Sequence, residues 1–143
     1  YRLADGRDLA VVVTAVGKTP AYTVAIWDLS RRDPGGWFVE QAIFDWTTTA
    51  YAGCAGVEPG ERLLDLRILT VNQVDRVDGR PDLVLSMLER SGEPNAAYLE
   101  ACKAMMGEAE SSDPAAALEQ RRFEQVFRFD GSRFQGVAPP PER

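Results

Sequence analysis

The sequence predicts a mainly β chain of antiparallel hairpin repeats with a helical insertion in the second repeat. Three observations carry this. Short β-branched and aromatic runs recur along the chain, Gly-, Pro- and Asp-rich turns separate them, and the apolar period changes to the helical one only within about 91–121. The length of 143 residues suits one domain, set at 1–137, and 45% hydrophobic with 27% charged residues is ordinary globular composition.

Taken in order, residues 8–16 (DLAVVVTAV) read as a buried strand ended by Gly17 and Pro20. Residues 21–29 (AYTVAIWDL) and 36–44 (GWFVEQAIF) flank the turn-forming stretch SRRDPGG and read as a hairpin. Residues 45–61 have no clear period and read as an extended start followed by a long loop carrying Cys54. In 62–71, Leu64, Leu66 and Ile68 alternate with Asp65 and Arg67, the pattern of a half-buried strand. Its expected partner is 82–89, entered through the turn at 78–81.

Residues 95–106 then place Tyr98, Leu99, Cys102, Met105 and Met106 at helical spacing, which reads as a packing stripe, with Asn95 and Gly107 as caps. Ser112-Asp113-Pro114 signals a second short helix through the following AAALEQRR. Strand character returns at 122–129, and Asp130-Gly131-Ser132 turns the chain into RFQGV. The proline-rich tail, 138–143, cannot join a sheet interior.

Composition excludes several functions. With no histidine there is no Ser-His-Asp or Cys-His catalysis and no histidine metal site. The net charge of −6 argues against nucleic acid as a partner, since that affinity rests on Lys and Arg neutralising phosphates. The Gly53, Gly56, Gly60 run lacks the Lys-Ser or Lys-Thr of a phosphate loop, and no carboxylate pair stands out, so the chain reads as a non-enzyme. No run approaches the ~20 apolar residues of a membrane helix, so no membrane insertion is expected. The sequence opens on Tyr1 rather than Met, and an upstream piece is expected to have been removed. Cys54 and Cys102 are either two buried thiols or a disulfide; a bridge would stabilise by about 4 kcal/mol in the chain-entropy picture and indicate an oxidising compartment such as the periplasm.

An internal repeat is the strongest motif. Asp5-Gly6-Arg7-Asp8-Leu9-Ala10-Val11 matches Asp78-Gly79-Arg80-Pro81-Asp82-Leu83-Val84, one residue shorter, and a hairpin follows each. The repeats are set at about 5–44 and 75–137, with the insertion at about 91–121. The run from Val77 to Leu85, with the later Phe129-Asp130-Gly131-Ser132-Arg133-Phe134, resembles the FG-GAP or VCBS repeat of integrin-like β-propellers. That resemblance implies a propeller-like or sandwich-like arrangement, and its full form carries a calcium loop, D-x-[DN]-x-DG-x-x-D. Asp78 and Asp82 match its last acidic positions, Val74 and Arg76 occupy the earlier ones, and Asp75 substitutes only if the loop is one residue longer. The implied calcium ligands are Asp75, Asp78 and Asp82.

The DG-x-P-[DE] turn, Asp78 to Asp82, is also similar to one in periplasmic inhibitors of invertebrate-type lysozymes and in related toxin-immunity proteins. That resemblance implies contact residues Ser91, Gly92 and Tyr98, although five residues separate Gly92 from Tyr98, more than in the inhibitors. Neighbouring Glu93 adds charge to this loop, and Trp37, Trp46 and Tyr51 are candidate aromatic anchors. Residues 89–124 hold eight acids against four bases, which suits electrostatic steering towards a basic secreted lytic enzyme or toxin. The expectation is an exported, periplasmic inhibitor or immunity protein. The alternative is a structural or ligand-binding FG-GAP module of a larger surface protein, assisted by calcium.

Overall fold

A computed structural model describes residues 1–15, 21–36, 38–47, 50–107 and 112–137, with the backbone alone for 14, 15, 21 and 38–47. The elements run β1 (Leu9–Ala15), β2 (Ala21–Arg32), β3 (Phe38–Thr47), β4 (Ala50–Tyr51), β5 (Leu63–Asp75), β6 (Pro81–Gly92), α1 (Ala96–Met106), a 3₁₀ turn (Pro114–Ala117), β7 (Glu119–Phe129) and β8 (Phe134–Val137). The chain is mainly β with one helical insertion. Trp37 and the tail 138–143 lie outside the described residues.

The strands form two meanders. One sheet has the order β1-β2-β3, and the other, β4-β5-β6-β7-β8, curls into a half barrel. All pairs are antiparallel except the two-residue β4, which runs parallel to β5. β1 lies alongside β5 and β3 alongside β8, so the sheets face each other across a shared interior. Alternation decides what fills it: Leu9, Val24, Ile26, Leu66, Leu83, Leu85, Met87, Phe127 and Phe134 form one buried cluster.

Long-range pairing moves several boundaries away from the sequence expectation. β5 extends to Asp75 and β6 to Gly92, because their register runs from Leu63↔Gly92 to Asp75↔Pro81, with a bulge between Ile68 and Thr70. Residues 45–61 are not simply extended chain and loop, since β3 continues to Thr47 and β4 pairs Ala50 with Leu63. The expected second helix stops after Pro114–Ala117; from Glu119 the chain is strand, because Glu119 and Gln120 take the places opposite Ser91 and Arg90.

The Asp-Gly turns ahead of β1 and β6 make the same three bonds. Leu3 N–H donates to Arg7 O at 2.8 Å, Gly6 N–H to Leu3 O at 2.9 Å, and Arg7 N–H to Asp5 Oδ1 at 3.0 Å. Their counterparts are Arg76 to Arg80 O at 2.9 Å, Gly79 to Arg76 O at 2.9 Å and Arg80 to Asp78 Oδ1 at 3.0 Å. Gly6 at φ 89° and Gly79 at φ 79° supply the left-handed corner that a side chain would strain.

Phe127→Ala should remove about 3–5 kcal/mol from global stability, since Phe127 is fully buried in the shared interior. Urea denaturation followed by far-UV circular dichroism checks this, and a loss below about 1 kcal/mol would contradict a single interior packed by both sheets.

Candidate partner-binding surface

The insertion between β6 and β7 is built by local capping and then fastened from a distance. Asn95 caps α1 by accepting the Tyr98 N–H at 2.8 Å, and Gly107 N–H donates to Lys103 O and Ala104 O at the other end. The Asn95 amide donates to Ala117 O at 2.9 Å, and the Ser112 hydroxyl to Ala101 O at 2.7 Å, which ties the 3₁₀ turn to the helix.

Tyr98 and Cys102 point from α1 towards the outward face of β5, where Leu63, Ala115 and Leu118 complete a second buried cluster. This cluster and the interior of the two sheets lie on opposite faces of β5 and share no residue. Cys102 is bonded to Cys54, and the Tyr98 hydroxyl donates to Gly53 O, so loop 52–62 is held against the helix twice. Burial raises the Tyr98 pKa, which keeps the phenol protonated as a donor.

Arg90 is the polar fastening. Its side chain is 4% exposed, and it sits opposite Asp65 in the β5–β6 register. It donates to Asp65 Oδ2 through Nη2 at 2.5 Å and to Asp113 Oδ2 through Nη1 at 2.6 Å. Arg67 Nε adds a bond to Asp65 at 3.1 Å. A buried guanidinium needs such compensation, and Asp113 brings it from the far end of the insertion. The Arg90 hydrogen bond holds the Asp113 pKa below the ordinary aspartate value.

On its outward side the insertion presents apolar surface. Leu99 is 49% exposed, Met105 45% and Met106 80%, so the expected packing stripe is corrected to Tyr98 and Cys102 alone. Leu99 lies three residues before Cys102 and Met106 four after it, so both border the covered part of the stripe rather than lying opposite it. Glu93 and Glu100 are exposed nearby in sequence, and Lys103 Nζ is 2.9 Å from Glu100. Glu58 and Glu61 join the same unit through the bridged loop.

The residues expected to contact a partner therefore separate. Tyr98 is fully buried and Ser91 is 9% exposed, each enclosed by the second cluster or the β6 pairing, which corrects their assignment as contact residues. Gly92 ends β6 half-buried, and Glu93 is exposed. Tyr51 packs edge-on to Tyr22, with ring centroids 5.1 Å apart. Leu99, Met105 and Met106 were missed as surface because spacing marks an apolar stripe without telling which part of it finds a partner.

The three aspartates expected to bind calcium are engaged by groups of the chain itself. Among the described residues no group of three acidic, Cys or His side chains is arranged to hold a metal. Arg76, at a position where the calcium loop has Asp or Asn, fills the space with its own cation. Its Nε lies 3.2 Å from Asp82 Oδ1 and its Nη2 3.6 Å from Asp78 Oδ2, and it donates to Phe129 O. Asp82 is also 3.3 Å from Arg128, and Asp75 accepts from Gln73 at 2.7 Å.

An open groove of about 470 Å³ lies beside the β5 bulge, lined by Leu69, Thr70, Ser86, Met87, Arg122, Phe123 and Glu124. Among the described residues no helix is long and apolar enough to cross a membrane. No protein-family description, curated protein or solved structure matches the chain.

Two measurements follow from this geometry. Because the folded pKa of Asp113 is lowered, its pairing with Arg90 contributes fully above the unfolded value near 3.9 and is lost as pH falls through the folded value. Asp113→Asn should therefore melt below wild type at pH 6, and the two curves should begin to approach each other only as pH falls below about 4, towards the lowered folded value. Replacing EDTA by millimolar calcium should leave the melting temperature unchanged, because Arg76 already neutralises Asp78 and Asp82; a rise of several degrees would show that the arginine is displaced.

Proposed function

We propose that the chain is a protein-binding domain that performs no chemistry, and that it meets its partner through the exposed apolar part of α1. The observation carrying this reading is the exposure of Leu99, Met105 and Met106 on an acidic insertion that is covalently fastened to loop 52–62. Apolar side chains are costly to display on a mobile segment, and a rigid display with an acidic rim is what an interface core requires.

The partner is a basic secreted protein, and a cell-wall-degrading, lysozyme-like enzyme or toxin suits the charge. The chain then acts as its inhibitor or immunity protein in the periplasm or another exported location. The Cys54–Cys102 bridge supports an oxidising compartment. The acids supply long-range attraction, and the apolar flank supplies the contact. The FG-GAP alternative keeps its hairpin scaffold and loses its calcium ligands to Arg76.

Co-purification with a basic secreted lytic enzyme, followed by calorimetric titration, tests the proposal. Leu99→Ser and Met106→Ser should each weaken the complex by roughly tenfold or more, while the melting temperature stays near that of wild type. Raising the salt from 0.05 to 0.5 M should slow association far more than dissociation. If every basic lytic enzyme tried passes without binding, the inhibitor reading is lost.

A further inference from the structure

We propose that the Cys54–Cys102 bridge is a redox latch: a dithiol that reduces it releases loop 52–62 and residues 93–118 from β5 while the two-sheet body stays folded. The consequence for binding rests on the reading of α1 as the contact surface. The opening itself rests on geometry alone.

Two observations carry it. The second cluster has three large side chains at its centre, Leu63, Tyr98 and Leu118, and is otherwise lined by small ones such as Ala50, Ala52, Ala115 and Ala117. Opening the insertion leaves untouched the interior around Leu85, Met87 and Phe127, on the other face of the sheet. Among the described residues the polar ties that hold these segments to β5 and β6 include Arg90 to Asp113, Arg67 at 3.9 Å from Asp113 and Ala52 N–H to Leu64 O, while Tyr98 to Gly53 joins the helix to the loop. Units with small cores open below the cost of global unfolding.

The bridge acts on that local opening with a strength set by chain connectivity. Leu63 and Gly92 are paired in the sheet, Cys54 precedes Leu63, and Cys102 follows Gly92. In the opened state the disulfide therefore closes a loop of only about twenty residues, and losing it should favour opening about two hundredfold. Cys54 is half-buried and Cys102 is 7% exposed, so attack falls on the Cys54 sulfur. A thiolate of the dithiol bonds to Cys54 Sγ and expels Cys102 as thiolate. The second thiol then closes the reductant into a cyclic disulfide and releases Cys54. Two electrons pass from the dithiol to the protein, and both cysteines end as thiols after taking up the dithiol's two protons.

Hydrogen exchange of the full chain, read by mass spectrometry with and without dithiothreitol, tests the latch, with the Cys54→Ser/Cys102→Ser variant in the absence of reductant as a second route to the unbridged state. Expected in both is exchange about two hundredfold faster across α1, with the central residues of β6 and β7 still protected. Affinity for a basic lytic partner should fall in parallel. Unchanged protection of α1 overturns the latch, and so does loss of β6 and β7 together with it. Opening of α1 with a bound partner retained overturns its control of binding. Opening of α1 with no partner bound in either redox state supports the latch and sinks the contact reading instead.

Discussion

Leu63 and Leu64 are consecutive residues of an extended strand, so their side chains point to opposite faces of the sheet, and both are buried. The rest of the architecture depends on satisfying that demand. On the inward side the three-stranded sheet supplies cover, with Val24 and Ile26 of β2 joining Leu66 and Leu83. On the outward side no second sheet is available, and the chain leaves the β6–β7 connection to make cover of its own. A polar hairpin loop there would leave Leu63 exposed. The cover is thin, because eleven residues of helix and one 3₁₀ turn bring few large side chains. It needs the disulfide, the Tyr98 hydroxyl and the Arg90 fork to hold it.

Arginine settles the other end of the molecule by the same logic of internal compensation. The Asp-Gly turns at 5–6, 78–79 and 130–131 each aim a carboxylate at backbone N–H groups. Arg80 Nη1 donates to Asp130 O at 2.8 Å, and Arg7 lies over the Phe129 ring at 4.6 Å, so the turns are joined through cations of the chain itself. An arginine among carboxylates meets the need that a metal meets in a calcium loop. It reaches from one position and cannot be removed by a chelator. The equivalent turn ahead of β1 has Leu3 where the second has Arg76, and Leu3 is buried in the shared interior. One turn is anchored by apolar packing and the other by charge, although their backbone bonds are the same.

What was legible in the sequence was local. The hairpins announce themselves through alternation and turn residues, and α1 through Asn95 and Gly107, because those signals lie within a few residues of the structure they specify. What was not legible depended on partners far along the chain. The helical appearance of AAALEQRR gave way where Glu119 met Ser91. Arg90, Asp65 and Asp113 look like three unrelated charges until pairing sets the first two side by side. The surface followed the same rule. Tyr98, Leu99 and Met106 all belong to one apolar spacing, and only the position of Leu63 and Gly53 decides that the first is interior and the other two are not.

The charge of the insertion divides between structure and surface. Asp113 and Glu89 are engaged by Arg90 and Arg121, and Glu100 holds Lys103, so part of the acidity that marks residues 89–124 serves the fold. Glu93 is exposed beyond those pairs. A pair exposed on a helix contributes a few tenths of a kcal/mol, whereas the buried Arg90 fork cannot be broken without stranding a cation. The fold is thus insensitive to what happens at the helix surface and sensitive to what happens beneath it. Leu99 and Met106 can be exposed without loss of stability because the staple and the fork hold α1 without them. A surface held in this way is free to be shaped by a partner, since none of its outward side chains is needed to keep the insertion in place.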